Sequence, residues 1–305
     1  MHNPLIQMKR LPSICLLLLA ACSVKPVTPP SEVDVCLLPP SVPTRADAPD
    51  ENGIADYQFF VFNGLGMLET CAYVDARTLQ AGPVLHRSRL YPDVPYTVLA
   101  VANLGYELPC RTWEEAMACR YHLAYPDEFS HGLPMAARAE GVLVKDGRLD
   151  IQLERLVARV DLTVDRRELD PDVDIRFVEV RVGGCPSSVL LFSDSRALSS
   201  DDLFHTGYLK SGTALWPLNS ERQVGLSGTV SLYLLENRQP SDASGRFLEV
   251  CSYIELQASF HSPDWHTAPG ETLAYRFWLP GESASHDVRR NCVYPLTLTL
   301  KGAGR

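Results

Sequence analysis

Between Leu149 and Val164 apolar side chains recur at every second residue, and the parity of that recurrence changes once. Leu149, Ile151 and Leu153 occupy odd positions, whereas Leu156, Ala158, Val160, Leu162 and Val164 occupy even ones. Period two marks a strand with one buried face, and a slip of one residue turns every side chain to the opposite face. A chain passing Glu154-Arg155 therefore either bulges there or leaves one core and enters another. We take the second reading, with an N-terminal domain over residues 51–154 and a C-terminal domain over 155–305. A chain of 305 residues is long enough to bury two cores without metals or staples.

The rest of the sequence repeats the strand-and-turn theme. Tyr57–Phe62 is aromatic and β-branched and is closed by the turn residues Asn63-Gly64-Leu65-Gly66, so Met67–Val74 reads as the returning strand. Tyr96–Ala102 is a buried-strand run ended by Asn103 and Gly105. Further strands are expected at Ile175–Val182, Val189–Phe192, Val230–Leu235, Phe247–Leu256, Ala274–Leu279 and Val293–Leu300. With 23 Pro and 19 Gly against 5 Met, an all-β chain of antiparallel sandwiches fits better than a helical bundle. Thr112-Trp113-Glu114-Glu115 forms a capping box and starts a short helix that ends before Tyr125-Pro126. In the last strand Tyr294, Leu296, Leu298 and Leu300 share one face, and Pro295 suits a strand start or an edge.

The N-terminus reads as an address. Lys9 and Arg10 precede an apolar run from Leu11 to Ala21 that is far short of the roughly 20 residues a spanning helix needs. It ends in Leu19-Ala20-Ala21-Cys22, the pattern cut by lipoprotein signal peptidase. Residues 1–21 are then signal, and Cys22 carries a covalent diacylglycerol and an acyl chain, with no other cofactor expected. Ser23, in place of Asp, favours the outer membrane. Residues 22–50, with Pro26, Pro29, Pro30, Pro39, Pro40, Pro43 and Pro49, read as a Pro-rich tether.

Chemistry is hard to find. The net charge of −9 and the absence of clustered Lys and Arg exclude nucleic acid as a partner. No GxSxG or GxxxxGK[ST] motif is present. The eight His residues show no HxxxH spacing and there is no CxxC pair, so no metal site is expected. Asp170-Pro171-Asp172-Val173-Asp174 alternates like a calcium loop but lacks its Gly and distal Glu, and reads as a solvated connection. His261, Asp264, Trp265 and His266 read as a loop with an incidental aromatic. With Cys15 and Cys22 spent, Cys36, Cys71, Cys110, Cys119, Cys185, Cys251 and Cys292 form an odd set. Cys110 and Cys119 bracket the short helix and either close a disulfide loop or stay as two buried thiols.

Taken in order, several segments resemble the FimB/Mfa-type anchor lipoproteins of Bacteroidia fimbriae, within the fimbrillin superfamily. They are the lipobox at Cys22 and "VDVC" ending at Cys36, "YQFFVFNGLGMLE" from Tyr57, "YTVLAVANLG" from Tyr96 and "IQLERLVARVDLTV" from Ile151. "YLLENRQP" from Tyr233 and "YRFWLPGESASHDVRRNCVYPLTLTLKG" from Tyr275 complete the set. Pro280 before Gly281 and the scattered Cys residues depart from the family pattern. The resemblance implies two tandem transthyretin-like β-sandwich domains, no enzymatic activity and a place at the base of a fimbrium, lipid-anchored at the cell surface. It implies structural roles for Glu236, Asn237, Arg290, Asn291 and Tyr294, with Arg290 paired to an acid such as Glu236 and Asn291 bonded to a turn.

The expected partners are a fimbrillin stalk subunit and, through the lipid, the outer membrane; no small-molecule substrate is expected. Fimbrillins polymerise by strand addition, in which main-chain hydrogen bonds give affinity and alternate side chains fill pockets. In the polymerising relatives an arginine-specific cut removes an N-terminal segment and opens the acceptor groove. A cut at Arg45 here would instead separate Cys22 from both domains. The working protein is therefore expected to keep residues 22–50, to fill its own groove, and to join the stalk through its C-terminal region, where the stripe Tyr294, Leu296, Leu298 and Leu300 is either donated to the stalk or a plain core strand. The competing readings are a surface glycan-binding lipoprotein using Trp113, Trp216, Trp265 or Trp278, and a fimbrial tip or stalk subunit.

Overall fold

The computed structural model describes residues 28–41, 51–79, 84–125, 129–219, 228–239, 248–279 and 285–301. The expectations for Cys22 and its lipobox, Arg45 and Pro280-Gly281 lie outside these residues. The N-terminal half consists of strands β1 (Ser31–Leu38), β2 (Tyr57–Phe62), β3 (Leu68–Val74), β4 (Val84–Leu90) and β5 (Tyr96–Ala102), helix α1 (Trp113–Ala118), and strands β6 (Arg120–His122), β7 (Met135–Val142), β8 (Arg148–Gln152) and β9 (Glu154–Arg155). A five-stranded sheet in the order β3-β2-β5-β7-β9 faces a three-stranded sheet in the order β4-β1-β8. The apolar runs Phe59–Phe62 of β2 and Val98–Ala102 of β5 are explained by a core on each face of their sheet. Phe59, Val61, Val98 and Ala100 enter the core between the two sheets, whereas Phe60, Phe62, Leu99 and Val101 enter a second core on the other side.

The tether expected over 22–50 needs correcting between residues 31 and 38. There the chain forms β1, the central strand of its sheet, antiparallel to β4 and parallel to β8. Val33, Val35 and Leu37 alternate into the inter-sheet core. The flanking prolines bound this strand and do not prevent it. The N-terminal sandwich thus starts well before residue 51.

The C-terminal half comprises β10 (Val157–Asp165), β11 (Asp174–Gly183), β12 (Ser188–Leu190), β13 (Tyr208–Ser211), helix α2 (Trp216–Asn219), β14 (Gly228–Leu235), β15 (Asn237–Arg238), β16 (Tyr253–His261), β17 (Leu273–Trp278), β18 (Asp287–Val288) and β19 (Val293–Thr299). A three-stranded sheet, β14-β10-β19, stacks on a four-stranded one, β13-β11-β16-β17. β10 runs antiparallel to β14 and parallel to β19. The expected strand at Phe247–Leu256 begins only at Tyr253, because Leu248–Val250 turns as a 3₁₀ helix.

The parity change divides three cores. Leu149, Ile151 and Leu153 belong to the N-terminal inter-sheet core, and Ala158, Val160, Leu162 and Val164 to the C-terminal one. Leu156 and Val157, at the crossing, enter a third core that the two-core reading omits. It joins Phe60, Phe62 and Leu99 from the first half to Val189, Leu191, Phe192 and Leu235 from the second. The short ladder β6–β12 also crosses between the halves, as do the amide of Leu123 to Ser187 O (3.0 Å) and that of Leu191 to Cys119 O (3.1 Å). Helix α1 lies against this third core, with both arms of its capping box formed between Thr112 and Glu115. It stops at Ala118, earlier than the Tyr125-Pro126 limit, because the chain turns directly into β6.

Candidate functional site

The slot occupied by β1 is the first feature with a functional shape. On one side Ser31 to Leu37 pair with Leu90 to Val84; on the other, Asp34 to Leu38 pair with Arg148 to Gln152. Withdrawal of β1 would leave two unpaired strand edges and open the core that Val33, Val35 and Leu37 fill, an acceptor for any extended segment of matching alternation. Within the slot Cys36 is buried, with Arg148 Nη2 donating to its Sγ at 3.1 Å. Burial pushes the Cys36 thiol up, only partly offset by that guanidinium.

A second constellation binds the end of the chain to the junction. Glu236, just beyond β14, is fully enclosed and accepts from the amide of Ser195 (3.0 Å). Arg290 Nε and Nη2 reach Glu236 Oε2 at 3.0 and 2.7 Å. The same guanidinium donates to the carbonyls of Leu190 (2.9 Å), Leu191 (3.0 Å) and Ser193 (2.8 Å). Asn237 is also buried; its Nδ2 donates to Val250 O (2.8 Å) and its Oδ1 accepts from Ala197 N (3.1 Å). Asn291 adopts φ of 56°, which Asn tolerates better than most residues, and its amide donates to Val157 O at 2.9 Å. Tyr294 packs on the C-terminal core, and its hydroxyl accepts from Arg289 N at 2.9 Å. These bonds tie the segment before the final strand to the end of β14 and to β12.

The stripe Tyr294, Leu296, Leu298 and Leu300 faces the core of its own sandwich, with Leu300 buried and the others half-buried against it. Among the described residues β19 pairs with β10 alone, so it forms a sheet edge.

A third constellation escaped the sequence reading. The Glu51 side chain is 1% exposed and accepts from Arg159 Nη1 at 3.0 and 2.9 Å, with Arg155 Nη2 3.4 Å away. The hydroxyl of Tyr233 also donates to it. Arg155 Nε donates to Glu51 O (3.2 Å), and Arg155 Nη2 to Asn52 Oδ1 (2.8 Å). Burial lowers the Arg155 guanidinium while Glu51 pushes it back, and burial with Glu51 beside it raises the Tyr233 phenol. The available signal was the pair Arg155 and Arg159 in a β-run otherwise rich in buried apolar residues; nothing local pointed to Glu51.

The turn after β5 is also built from buried polar groups. Asn103 (φ 61°) accepts from Ala55 N at 2.7 Å and donates to Gly53 O and Leu133 O, both at 2.8 Å. Asp56 accepts from the amides of Leu104 (3.1 Å) and Gly105 (3.0 Å), and burial raises its carboxyl despite those donors. At Gly105 the φ of 79° favours glycine, and a Cβ there would lie 2.6 Å from the exposed His131 ring and push it aside.

Elsewhere, Cys110 and Cys119 bring their Sγ atoms to 2.9 Å across α1. His261 and His266 face each other across a bridge with ring centroids 5.7 Å apart, and Trp265 packs on Phe260. Among the described residues no group of His, Cys, Asp or Glu is placed to hold a metal ion. Trp113 and Trp278 are half-buried, whereas Trp216 and Trp265 are 68% and 51% exposed and lie on separate elements.

No family model matches the sequence, and no curated protein matches it. Solved structures do. The chain is similar to a fimbrilin from Porphyromonas gingivalis at a TM-score of 0.60 and 13% identity, covering 90% of this chain and 91% of that one. It is similar to the tip fimbrial protein Mfa3 from the same organism at 0.57 and 14%, covering 88% and 96%. A fimbrial assembly protein from Parabacteroides distasonis matches at 0.50 and 14%, covering 89% and 92%. The chain shares the all-β, sandwich-built fold of these fimbrial proteins.

Proposed function

We propose that this chain is a structural subunit of a cell-surface fimbrium, and within that class the lipid-anchored subunit that attaches the fimbrium to the outer membrane and terminates its assembly. The fold shared with fimbrial proteins supports the broader statement. The observation that carries the finer one is β1. It lies between Cys22 and Arg45 in sequence and occupies the centre of the β4-β1-β8 sheet. One uncut segment can therefore plug the acceptor slot and serve as the stem of the lipid anchor. A cut at Arg45 would release both at once. In this reading the stalk fimbrillin joins through the open edge of β19, while its stripe Tyr294, Leu296, Leu298 and Leu300 stays packed in its own sandwich.

Mass spectrometry of the protein recovered from assembled fimbriae tests the reading. A mature start at Cys22 bearing acyl chains is expected. A start at Ala46 would assign the chain to the processed tip or stalk subunits. Cys22→Ala should release the protein from membranes, and retention in the detergent phase after that change would refute the anchor. Deleting residues 293–305 also removes core side chains of the C-terminal sandwich, so it is read only where the truncated anchor still reaches the membrane; fimbriae that stay attached there would place the joint elsewhere.

A further inference from the structure

The strand pairing that joins the two halves rests on a segment held by two sulfur atoms. Cys119 follows helix α1, and its carbonyl accepts the amide of Leu191 at 3.1 Å, at one end of the β6–β12 ladder. At the other end of the helix, Cys110 comes two residues after Leu108, whose amide and carbonyl are both held by the buried Gln58 of β2 at 2.8 and 3.1 Å. Between these two fixed points the Sγ atoms lie 2.9 Å apart. That is inside the contact distance of two unbonded sulfurs and within a small side-chain rotation of the roughly 2.05 Å of a bond.

We propose that Cys110 and Cys119 are a modification site, oxidised to a disulfide that braces the inter-half ladder β6–β12 to the N-terminal five-stranded sheet. The partner is a disulfide-bearing thiol oxidant of the envelope, so the proposal rests on the reading of this chain as exported. The buried Cys110, whose thiol is pushed up to about 12 chiefly by burial, is a poor first nucleophile. The more accessible Cys119 attacks one sulfur of the oxidant's disulfide and releases the other as a thiolate. Cys110 then gives up its proton and displaces the remaining oxidant sulfur. One S–S bond forms in the chain and one breaks in the oxidant; two electrons pass to the oxidant, and the protons of the pair end on its two thiols. The third nearby thiol, Cys71, lies on β3, and its Sγ is 3.6 Å from Gln58 Nε2. A bond from Cys110 to Cys71 would close on the same sheet and brace nothing between the halves.

A subunit in a fibre transmits load from one domain to the next, and the β6–β12 ladder is short. A covalent loop around α1 stops the ladder's N-terminal strand from peeling off with the helix. The prediction is local. The amides of Leu123 and Leu191 should exchange more slowly in the oxidised chain than in the reduced one, while amides in β11 and β16 should not change.

The chain offers a direct assay, because Arg111 lies between the two cysteines. Protein taken from its native envelope is alkylated with iodoacetamide without reduction and digested with trypsin. The expected product is Leu90–Arg111 joined to Thr112–Arg120, lighter by two hydrogens than the two thiol peptides together. If both peptides are alkylated, or Cys110 is joined to Cys71, while the Cys22 peptide carries its acyl chains, the disulfide is overturned and export stands. If Cys22 is unmodified, the export reading fails, and the disulfide is decided on purified, folded, reduced chain treated with oxidised glutathione. The same linked peptides, with slowed exchange at Leu123 and Leu191 that Cys119→Ser abolishes, support it there. Free thiols or unchanged exchange overturn it.

Discussion

Replacing Glu51 by Ala tests whether the junction between the halves is held by charge. The carboxylate is 1% exposed, and the two guanidiniums around it, Arg155 and Arg159, are 4% and 8% exposed. Its removal leaves Arg155 enclosed without its carboxylate, leaves Arg159 with Asp161 alone at 3.2 Å, and takes the acceptor from Tyr233. Breaking a buried ion pair from one side costs about 3–5 kcal/mol. Glu51→Gln keeps an acceptor for Arg159 and Tyr233 but not the charge, and should cost about 2 kcal/mol, near the worth of a charge-assisted hydrogen bond. Urea unfolding of the chain from Ser23, followed through tryptophan fluorescence, gives these differences, since Trp113 packs on the junction core. Salt of about 1 M, where the Debye length is about 3 Å, should leave the Ala effect largely intact. A cost below about 1 kcal/mol, or one that disappears in that salt, would show that the cluster is solvated and that this account of the junction is wrong.

Three further outcomes follow from the same structure. Arg290→Met strands the Glu236 carboxylate and should cost about 3–5 kcal/mol in urea unfolding, with Glu236→Gln in the same chain recovering part of it; strict additivity of the two changes would contradict the pairing. Val35→Asp places a carboxylate in the core beneath β1 and should cost about 3 kcal/mol or more, with the β1 amides losing hydrogen-exchange protection first, while Glu32→Gln at the exposed start of the strand should be neutral. Arg167 donates to Asp165 from its side chain and amide and holds that carboxyl at about 2, below its ordinary 3.8. Its stabilising share is therefore complete above pH 3.8 and is lost as the pH falls toward 2. A carboxyl carbon titration should show the low midpoint, and Arg167→Gln should raise it.

Much of the fold could be read locally. β2, β5, β11, β14 and β19 fall where alternation, aromatic content or turn residues place them, and the capping box at Thr112 starts α1. β1 was missed although Val33, Val35 and Leu37 alternate, because the prolines at 29, 30, 39 and 40 weigh against structure in any composition window. Pro bars a residue from donating to a ladder but leaves the stretch between two Pro pairs free to be a strand. The motif residues Glu236, Asn237, Arg290 and Asn291 were legible as a set. Their bonds to the carbonyls of Leu190, Leu191 and Ser193 were not.

The sequence by itself determined which side of each strand is apolar, and at Glu154-Arg155 where that side changes, because the period-two geometry of the backbone converts residue order directly into faces. Only the tertiary structure decided what those faces meet. β1 runs parallel to β8, and β10 parallel to β19, across more than a hundred residues of chain. Phe60 and Leu99 share a core with Val189 and Phe192 from the other half, and Glu51 finds its counter-charges at Arg155 and Arg159. Alternation states that a surface must be covered and a buried charge that it must be paired. Neither carries information about the distant residue that does so, which is chosen when the layers close and the alternatives lose burial or leave a charge alone.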